Sequence, residues 1–464
     1  MERKWWVLLS IGIGTFMSAL DGSIVNVLLP IVRREFACEV AAVQWTVTVY
    51  LLIVSSLLLT FGRLGDLRGH KLVYGAGFTL FVLGSALCGA SPSLGALVAF
   101  RGLQAVGSAM LLASGPALLT MNFPGNQRGQ ALGLQATMTY LGLALGPTLG
   151  GWLAHAFGWR AAFYANIPVG AVALACGMYF IPSRRQAETA EPFDNRGALC
   201  FTAGLVALLL ALGQAHEWGW QSTPVAALAV ASIGVLALFV VIERRTRHPM
   251  LDLSLFRSRV FSAAVAAAVL NYVCTATIAF LLPFYLIQGR GLDPARTGLL
   301  LSVQPLVMAV TAPISGAVSD RIHSTLPSAI GMGVLAAGSV LLSLLGPHSS
   351  YAHLITASCL TGLGTGMFIS PNNSALMGAA PRPRQGIAAG VMATARNVGM
   401  AIGVGVAGAV VSTMMAFHPH GTLADAVAPA FRVAAIAAAL GGLTSLVRID
   451  RSRAPETVSE TADR

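Results

Sequence analysis

The chain has 464 residues, of which 55% are hydrophobic and only 10% charged. A soluble domain carries roughly 25% charged residues, so there is too little charge here to cover a water-facing surface; a soluble enzyme, a secreted disulfide scaffold and a disordered chain are excluded. The net charge is +11, but the basic residues stand in short clusters between apolar runs, not in the continuous stripe of a nucleic-acid binder. The six cysteines (Cys38, Cys88, Cys176, Cys200, Cys274 and Cys359) show neither C-x-x-C metal spacing nor a disulfide framework. No metal or other cofactor is expected.

A helix needs about 20 apolar residues to cross the hydrocarbon core. Charge clusters and Pro/Gly turns divide the chain into fourteen such runs. Six lie near 6–30, 43–62, 72–91, 95–119, 131–154 and 162–181, a shorter pair near 197–213 and 224–242, and six more near 260–287, 297–318, 327–346, 351–372, 386–413 and 428–447. The runs are continuous and lack the alternation of a membrane barrel, so the fold class is an all-α polytopic membrane protein. The first run is too long for a signal peptide, contains Asp21 and lacks a small-x-small cleavage site, which makes it a retained helix.

With fourteen spans, both termini share one face. That face collects 21 of the 29 Lys and Arg residues, the opposite face six, and Arg101 and Arg396 fall inside spans. The positive-inside rule then puts both termini in the cytoplasm of a cell's inner membrane. Shifting the chain by 257 residues superposes Gly129, Gly133, Ala136, Thr137, Gly142, Gly146 and Gly151 on Gly386, Gly390, Ala393, Thr394, Gly399, Gly403 and Gly408. A shift of 254 places Gly62 and Asp66 on Gly316 and Asp320. The repeat predicts two parallel six-helix bundles, at 1–182 and 259–447, separated by an insertion of two helices at 183–258 and followed by a disordered, cytoplasmic tail at 448–464.

Four stretches carry chemistry. In the first span, Leu20-Asp21-Gly22-Ser23-Ile24-Val25-Asn26-Val27-Leu28-Leu29-Pro30 contains the one acid well inside a run; an intramembrane carboxylate costs about 2.5–3.5 kcal/mol on insertion scales and marks a functional site by default. The loop after the second span reads Gly62-Arg63-Leu64-Gly65-Asp66-Leu67-Arg68-Gly69-His70-Lys71; its glycines allow a tight turn, and Asp66 can cap a helix end or accept from an Arg. The fourth span holds Arg101-Gly102-Leu103-Gln104-Ala105-Val106-Gly107, and the fifth Gly142-Leu143-Ala144-Leu145-Gly146-Pro147-Thr148-Leu149-Gly150-Gly151, whose small residues let helices approach closely while Pro147 bends the rod.

Together these resemble the motifs of the major facilitator superfamily, and specifically its fourteen-span drug:proton antiporter branch. The resemblance covers the chain to about 447. It departs from the family pattern at Leu67, where a basic residue is usual, at Ser23 in place of Thr, and at Ala105 in place of Gly. Membership implies the superfamily's fold and a proton-coupled antiporter that exports small amphipathic organic compounds by alternating access. It implies no enzymatic activity, the proton gradient as energy source, a small-molecule substrate and the bilayer as partners, and function as a monomer. Gly142, Gly146, Pro147, Gly150 and Gly151 match the superfamily's antiporter motif, and Gly62, Asp66, Arg68 and Lys71, with the weaker copy at Asp320 and Arg321, match its conformational latch. The stretch Trp159-Arg160, Phe163, Asn166-Ile167-Pro168 resembles the start of the sixth span in this branch and is assigned to structure.

Depth arithmetic brings Asp21 and Arg101 to similar distances below the outer boundary, roughly 14 and 10 Å at 1.5 Å per residue. They can pair if the first and fourth spans are neighbours, as they are in the superfamily, and are the expected proton-coupling pair. Candidates for a substrate cavity between the halves are Asn26, Gln44, Gln104, Gln135, Asn271, Tyr272, Gln304, Asn372 and Arg396. An uptake porter for a metabolite and a non-transporting membrane sensor or partner-binding protein remain as alternatives.

Overall fold

The computed structural model describes residues 2–182, 191–219, 222–322, 326–346, 348–417 and 423–446. The expected tail at 448–464 lies outside the described residues. Long helices dominate: α1 (Arg3–Glu35), α2 (Val40–Arg68), α3 (His70–Gly89), α4 (Leu94–Asn122), α5 (Arg128–Phe157), α6 (Arg160–Phe180, interrupted at Ala165), α7 (Asn195–Trp218), α8 (Thr223–Arg245), α9 (Arg259–Phe284), α10 (Pro294–Ile322), α11 (Leu326–Ser343), α12 (Tyr351–Ala379), α13 (Gln385–Phe417) and α14 (Leu423–Leu446).

Thirteen of these, all but α5, are long and apolar enough to cross a membrane. α5 is diluted by glycine, threonine and glutamine, but its 30 residues reach about 45 Å, enough to span. α5 lies against α1 on one side and α10 on another. α1 runs past Pro30, where the sequence suggested its end, and continues to Glu35. Gly69 turns the chain from α2 into α3 with φ of 96°, a conformation that L side chains rarely adopt.

In the first half α1 packs on α5 and α6, α3 on α4 and α6, and α2 on α4. In the second, α9 packs on α13 and α14, α10 on α12, and α11 on α12 and α14. The halves meet along two seams, α2 with α13 and α5 with α10. The inserted pair α7 and α8 packs together, and α7 touches both α2 and α13, so the insertion flanks one seam and not the other. α8 turns Val230 and Ile233 outward, about 70% exposed, as suits a lipid-facing rod.

The hydrogen bonds joining the halves cluster toward the face that bears the chain ends, at Asp66–Gly386, Asp66–Ile387, Thr120–Gln385, Asp320–Gly129, Asp320–Gln130 and Thr137–Ala309. Farther along α5, Leu143, Leu145, Pro147, Thr148 and Leu149 are exposed, while Gly142, Gly146 and Gly150 stay buried against α1. The halves are therefore joined at the terminus-bearing face and part toward the opposite one.

Candidate coupling site and gate

Asp21 is 2% exposed and Arg101 1%. Arg101 Nη1 donates to Asp21 Oδ2 at 2.5 Å, while Gln104 Nε2 and Asn166 Nδ2 each donate to Oδ1 at 2.9 Å. The α4 spacing of three residues brings Arg101 and Gln104 to one face of the helix, and Arg101 Nη1 also donates to Gln104 Oε1 at 2.6 Å. Arg101 Nε donates to the Thr46 carbonyl at 3.2 Å, and its guanidinium lies 4.1 Å from the centre of the Tyr50 ring. Ser85 Oγ accepts from Gln104 at 2.6 Å and from Asn166 at 3.1 Å. A carboxylate in this setting is stabilised by one guanidinium and two amides, the arrangement that makes burial of an ion pair tolerable.

The structure thus joins the Asp21–Arg101 pair anticipated from depth and adds Asn166, Ser85, Thr46 and Tyr50, which sequence reasoning missed. Asn166 stood in a stretch assigned to structure. Trp159 Nε1 and Arg160 of that stretch do clamp Glu35 at the end of α1, Arg160 Nη1 at 2.5 Å from Glu35 Oε1, but Asn166 reaches the buried acid.

The other face of α1 rests on α5. A Cβ at Gly142 would stand 2.7 Å from the Phe16 carbonyl, one at Gly146 1.7 Å from Ser23 Oγ, and one at Gly150 3.2 Å from Ile24. Ser23 Oγ also donates to the Gly142 carbonyl at 3.2 Å. Close approach at Gly142 and Gly146 leaves no room for a Cβ, and at Gly150 Ile24 would have to give by a few tenths of an ångström. Gly151 has open space around it and takes no part in the seam, and Pro147 is exposed within a continuous helix.

At the terminus-bearing face, Asp66 accepts the backbone N–H of Gly386 at 2.7 Å and of Ile387 at 2.8 Å, capping α13. Asp320 accepts those of Gly129 and Gln130, both at 2.9 Å, capping α5. The side-chain partner of Asp66 is His70, 3.1 Å away, and not an Arg. Arg68 and Arg321 are exposed, and Lys71 donates to the Met178 carbonyl at 2.7 Å. Glycine permits the halves to touch: a Cβ at Gly62 would come within 2.2 Å of the Gly386 carbonyl, and one at Gly316 within 2.2 Å of the Gly129 carbonyl. A cavity of about 1670 Å³ adjoins this latch, lined in part by Asp66, Arg68, His70, Lys71 and Arg384.

None of the nine cavity candidates borders that space. Gln104, Asn271 and Asn372 are 0% exposed and belong to helix packing rather than to a cavity wall. Gln104 serves Asp21; Asn271 Nδ2 approaches Met332 Sδ at 3.4 Å; Asn372 Nδ2 donates to the Ala264 carbonyl at 3.3 Å. Gln135 is likewise buried and donates to Thr15 Oγ1 at 3.2 Å. Asn26 and Gln44 are exposed, Asn26 donating to the Gly22 carbonyl of its own helix at 3.4 Å. Tyr272, Gln304 and Arg396 are half-buried.

The chain matches a family model described as Major Facilitator Superfamily over residues 11–404, and again over 264–462. It is 35% identical over 403 residues to the riboflavin transporter RibZ of Clostridioides difficile (strain 630), covering 87% of each chain. It is 34% identical over 417 residues to the multidrug resistance protein Stp of Mycobacterium tuberculosis (strain CDC 1551 / Oshkosh), covering 89% of this chain and 77% of the relative. The crystal structure of the human organic anion transporter MFSD10 superposes with a TM-score of 0.69 over 96% of this chain and all of that one, at 17% sequence identity, a likeness of fold alone. With a family model running through both bundles and relatives matched along most of its length, this multi-pass membrane protein belongs to the major facilitator superfamily of transporters.

Proposed function

We propose that the protein is a proton-coupled antiporter that exports small amphipathic organic molecules across the cytoplasmic membrane, with both termini in the cytoplasm. The observation that carries this reading is the pairing of the buried Asp21 with Arg101 on a helix whose opposite face forms the glycine seam with α5. Arg101 keeps its charge throughout, because a guanidinium does not deprotonate in a protein. Proton uptake by Asp21 therefore removes the negative partner and loosens the ties of α1 to α4 and α6. α1 and α5 are in close contact at Gly142, against the Phe16 carbonyl, and at Gly146, against Ser23, so a shift of α1 is transmitted to α5. The start of α5 is held by Asp320, one of the two caps that close the terminus-bearing face. Protonation and gating thus act on one continuous pair of helices. One elementary charge moving through 100 mV is worth about 2.3 kcal/mol, enough for a single proton to drive useful accumulation.

The Stp relative, named for multidrug resistance, supports a drug as cargo. The riboflavin transporter, at 35% identity, favours a second reading, in which the cargo is a metabolite, here taken inward by an uptake porter of the same fold. Transport into inside-out vesicles separates them. Export predicts uptake of an aromatic drug panel when the lumen is acidified, and loss of that uptake with a protonophore or with Asp21→Asn. Undiminished accumulation after the gradient is collapsed rejects proton coupling, and riboflavin flux only in the opposite sense favours the metabolite porter.

A further inference from the structure

The deepest hydrogen bond between the halves runs from Thr137 Oγ1 to the Ala309 carbonyl, at 2.7 Å. In the α13 region nearest that seal, Ala393 is buried with Val54 and Leu58 of α2. Immediately beyond lie three residues from three helices. Tyr140 is 12 residues past the start of α5, Tyr272 13 past the start of α9 and Arg396 11 past the start of α13. At 1.5 Å per residue all three stand about 16–20 Å from the terminus-bearing ends, at the middle of the bilayer. They are also lateral neighbours: Tyr272 packs against the buried cluster that includes Tyr140, and the Arg396 charge lies within reach of both. Tyr140 belongs to the first half, and Tyr272 and Arg396 to the second. Tyr140 is buried and Tyr272 and Arg396 are half-buried, so this layer bridges the two halves directly above the closed gate.

Arg396 is half-buried there, and no ion pair among the described residues includes it. Its hydrogen bond is a 3.4 Å contact from Nε to the adjacent Asn397. The acid inside the first span, Asp21, is already committed to Arg101, Gln104 and Asn166. A guanidinium at this depth costs about 2.5–3.5 kcal/mol on insertion scales and brings five donors in a planar fork suited to a carboxylate or another anionic oxygen. The tyrosines add ring faces and hydroxyls, which receive an aromatic body with a polar edge.

We infer that Arg396, Tyr140 and Tyr272 form the substrate site, and that it selects aromatic amphiphiles bearing an anionic oxygen group over cationic ones. This rests on the proposal that the chain transports a small organic molecule and narrows its chemical class. The site is distinct from the coupling pair. Arg101 stands 21 residues from the terminus-bearing end of α4, about 31 Å, so cargo and proton occupy different layers.

Equilibrium binding to the purified full-length protein in nanodiscs, at one pH and without a gradient, tests the inference. The probes are fluorescein and rhodamine 6G, a xanthene anion and a xanthene cation. The wild type is expected to bind fluorescein at least about 10-fold more tightly than rhodamine 6G. Arg396→Gln should weaken fluorescein binding by about 10-fold or more, roughly 1.4 kcal/mol, and leave rhodamine 6G within about twofold, whereas Arg396→Lys keeps part of the preference. Elution profile and melting temperature of each variant, matched to the wild type, exclude misfolding. The inference is overturned by equal affinity for the two dyes, by absence of binding of both, or by a loss in Arg396→Gln that is the same for both. Because the assay needs no gradient, Asp21→Asn should still bind fluorescein, so failure of the site and failure of proton coupling are read separately.

Discussion

The carboxylate of Asp66, at the end of α2, takes the N–H of Gly386 at the start of α13 at 2.7 Å, across the boundary between the halves. Asp320 does the same for Gly129. An anionic side chain at the positive end of a helix is favourable in itself. Here the two caps are equivalents under the internal repeat, so one device, duplicated, holds both seams.

The caps are therefore expected to set the balance between conformations. Each carboxylate makes two charge-assisted bonds across the interface, each worth about 1.5–3 kcal/mol when intact. Asp66→Ala should shift the population toward opening at the terminus-bearing face, and Asp66→Ala with Asp320→Ala should shift it further. Spin labels at Leu72 and Ile322, exposed in opposite halves, report the change by pulsed electron resonance in a cysteine-free background. Distance distributions identical to wild type would remove the caps from the gate.

The α1–α5 seam gives a steric prediction. Gly146→Ala would place Cβ 1.7 Å from Ser23 Oγ and 2.8 Å from Ser23 Cβ, forcing the helices apart. Overpacking of this kind typically costs about 1–3 kcal/mol. Transport should fall in Gly146→Ala and recover at least in part in Gly146→Ala/Ser23→Gly, which removes the obstructing side chain. Gly151→Ala meets open space and should transport like wild type. A Gly151→Ala defect as severe as that of Gly146→Ala would mean that the motif acts through something other than close packing.

Asn166 was invisible as a functional residue from the sequence, yet it donates to Asp21 Oδ1 at 2.9 Å. A hydrogen bond to a charged group is worth about 1.5–3 kcal/mol, and Asn166→Ala leaves Oδ1 with Gln104 alone. Asn166→Ala is accordingly expected to lower the melting temperature of the purified protein and, with it, transport. A melting temperature and flux equal to wild type, at normal expression, would show that this bond holds nothing in place.

Much of this architecture was legible in the residues. The repeat offsets of 254 and 257 already related Asp66 and Asp320 as well as Gly386 and Gly129, because the gate is built from backbone and glycine, whose positions a sequence records directly. The Asp21–Arg101 pair followed from depth and from the superfamily's placing of the first and fourth spans side by side, since the first half holds one acid and one base well inside its apolar runs. The polar shell was less readable. Ser85, Asn166, Gln104, Asn271 and Asn372 are short or neutral groups in helices surrounded by other helices, and hydropathy does not distinguish a face turned to a neighbour from one turned to a cavity. Gln104, Asn271, Asn372 and Gln135 were accordingly expected at the cavity and are buried between helices.

Arg101 carries the sharpest stability prediction. Its side chain is 1% exposed and its removal leaves Asp21 charged and buried with only amide donors. Breaking a buried pair from one side costs about 3–5 kcal/mol, because the remaining charge is uncompensated. Arg101→Leu should therefore lower the thermal stability of the purified protein sharply. Asp21→Asn should do so less, since Arg101 keeps the Thr46 carbonyl, Gln104 Oε1 and the Tyr50 ring. Asp21→Asn/Arg101→Leu should be more stable than Arg101→Leu alone, as neither charge is then stranded. That double variant should still fail to couple flux to protons, because no carboxylate remains at the site. If the two single losses simply add in the double variant, the residues are not energetically coupled, and the pair cannot be the element through which protonation is felt.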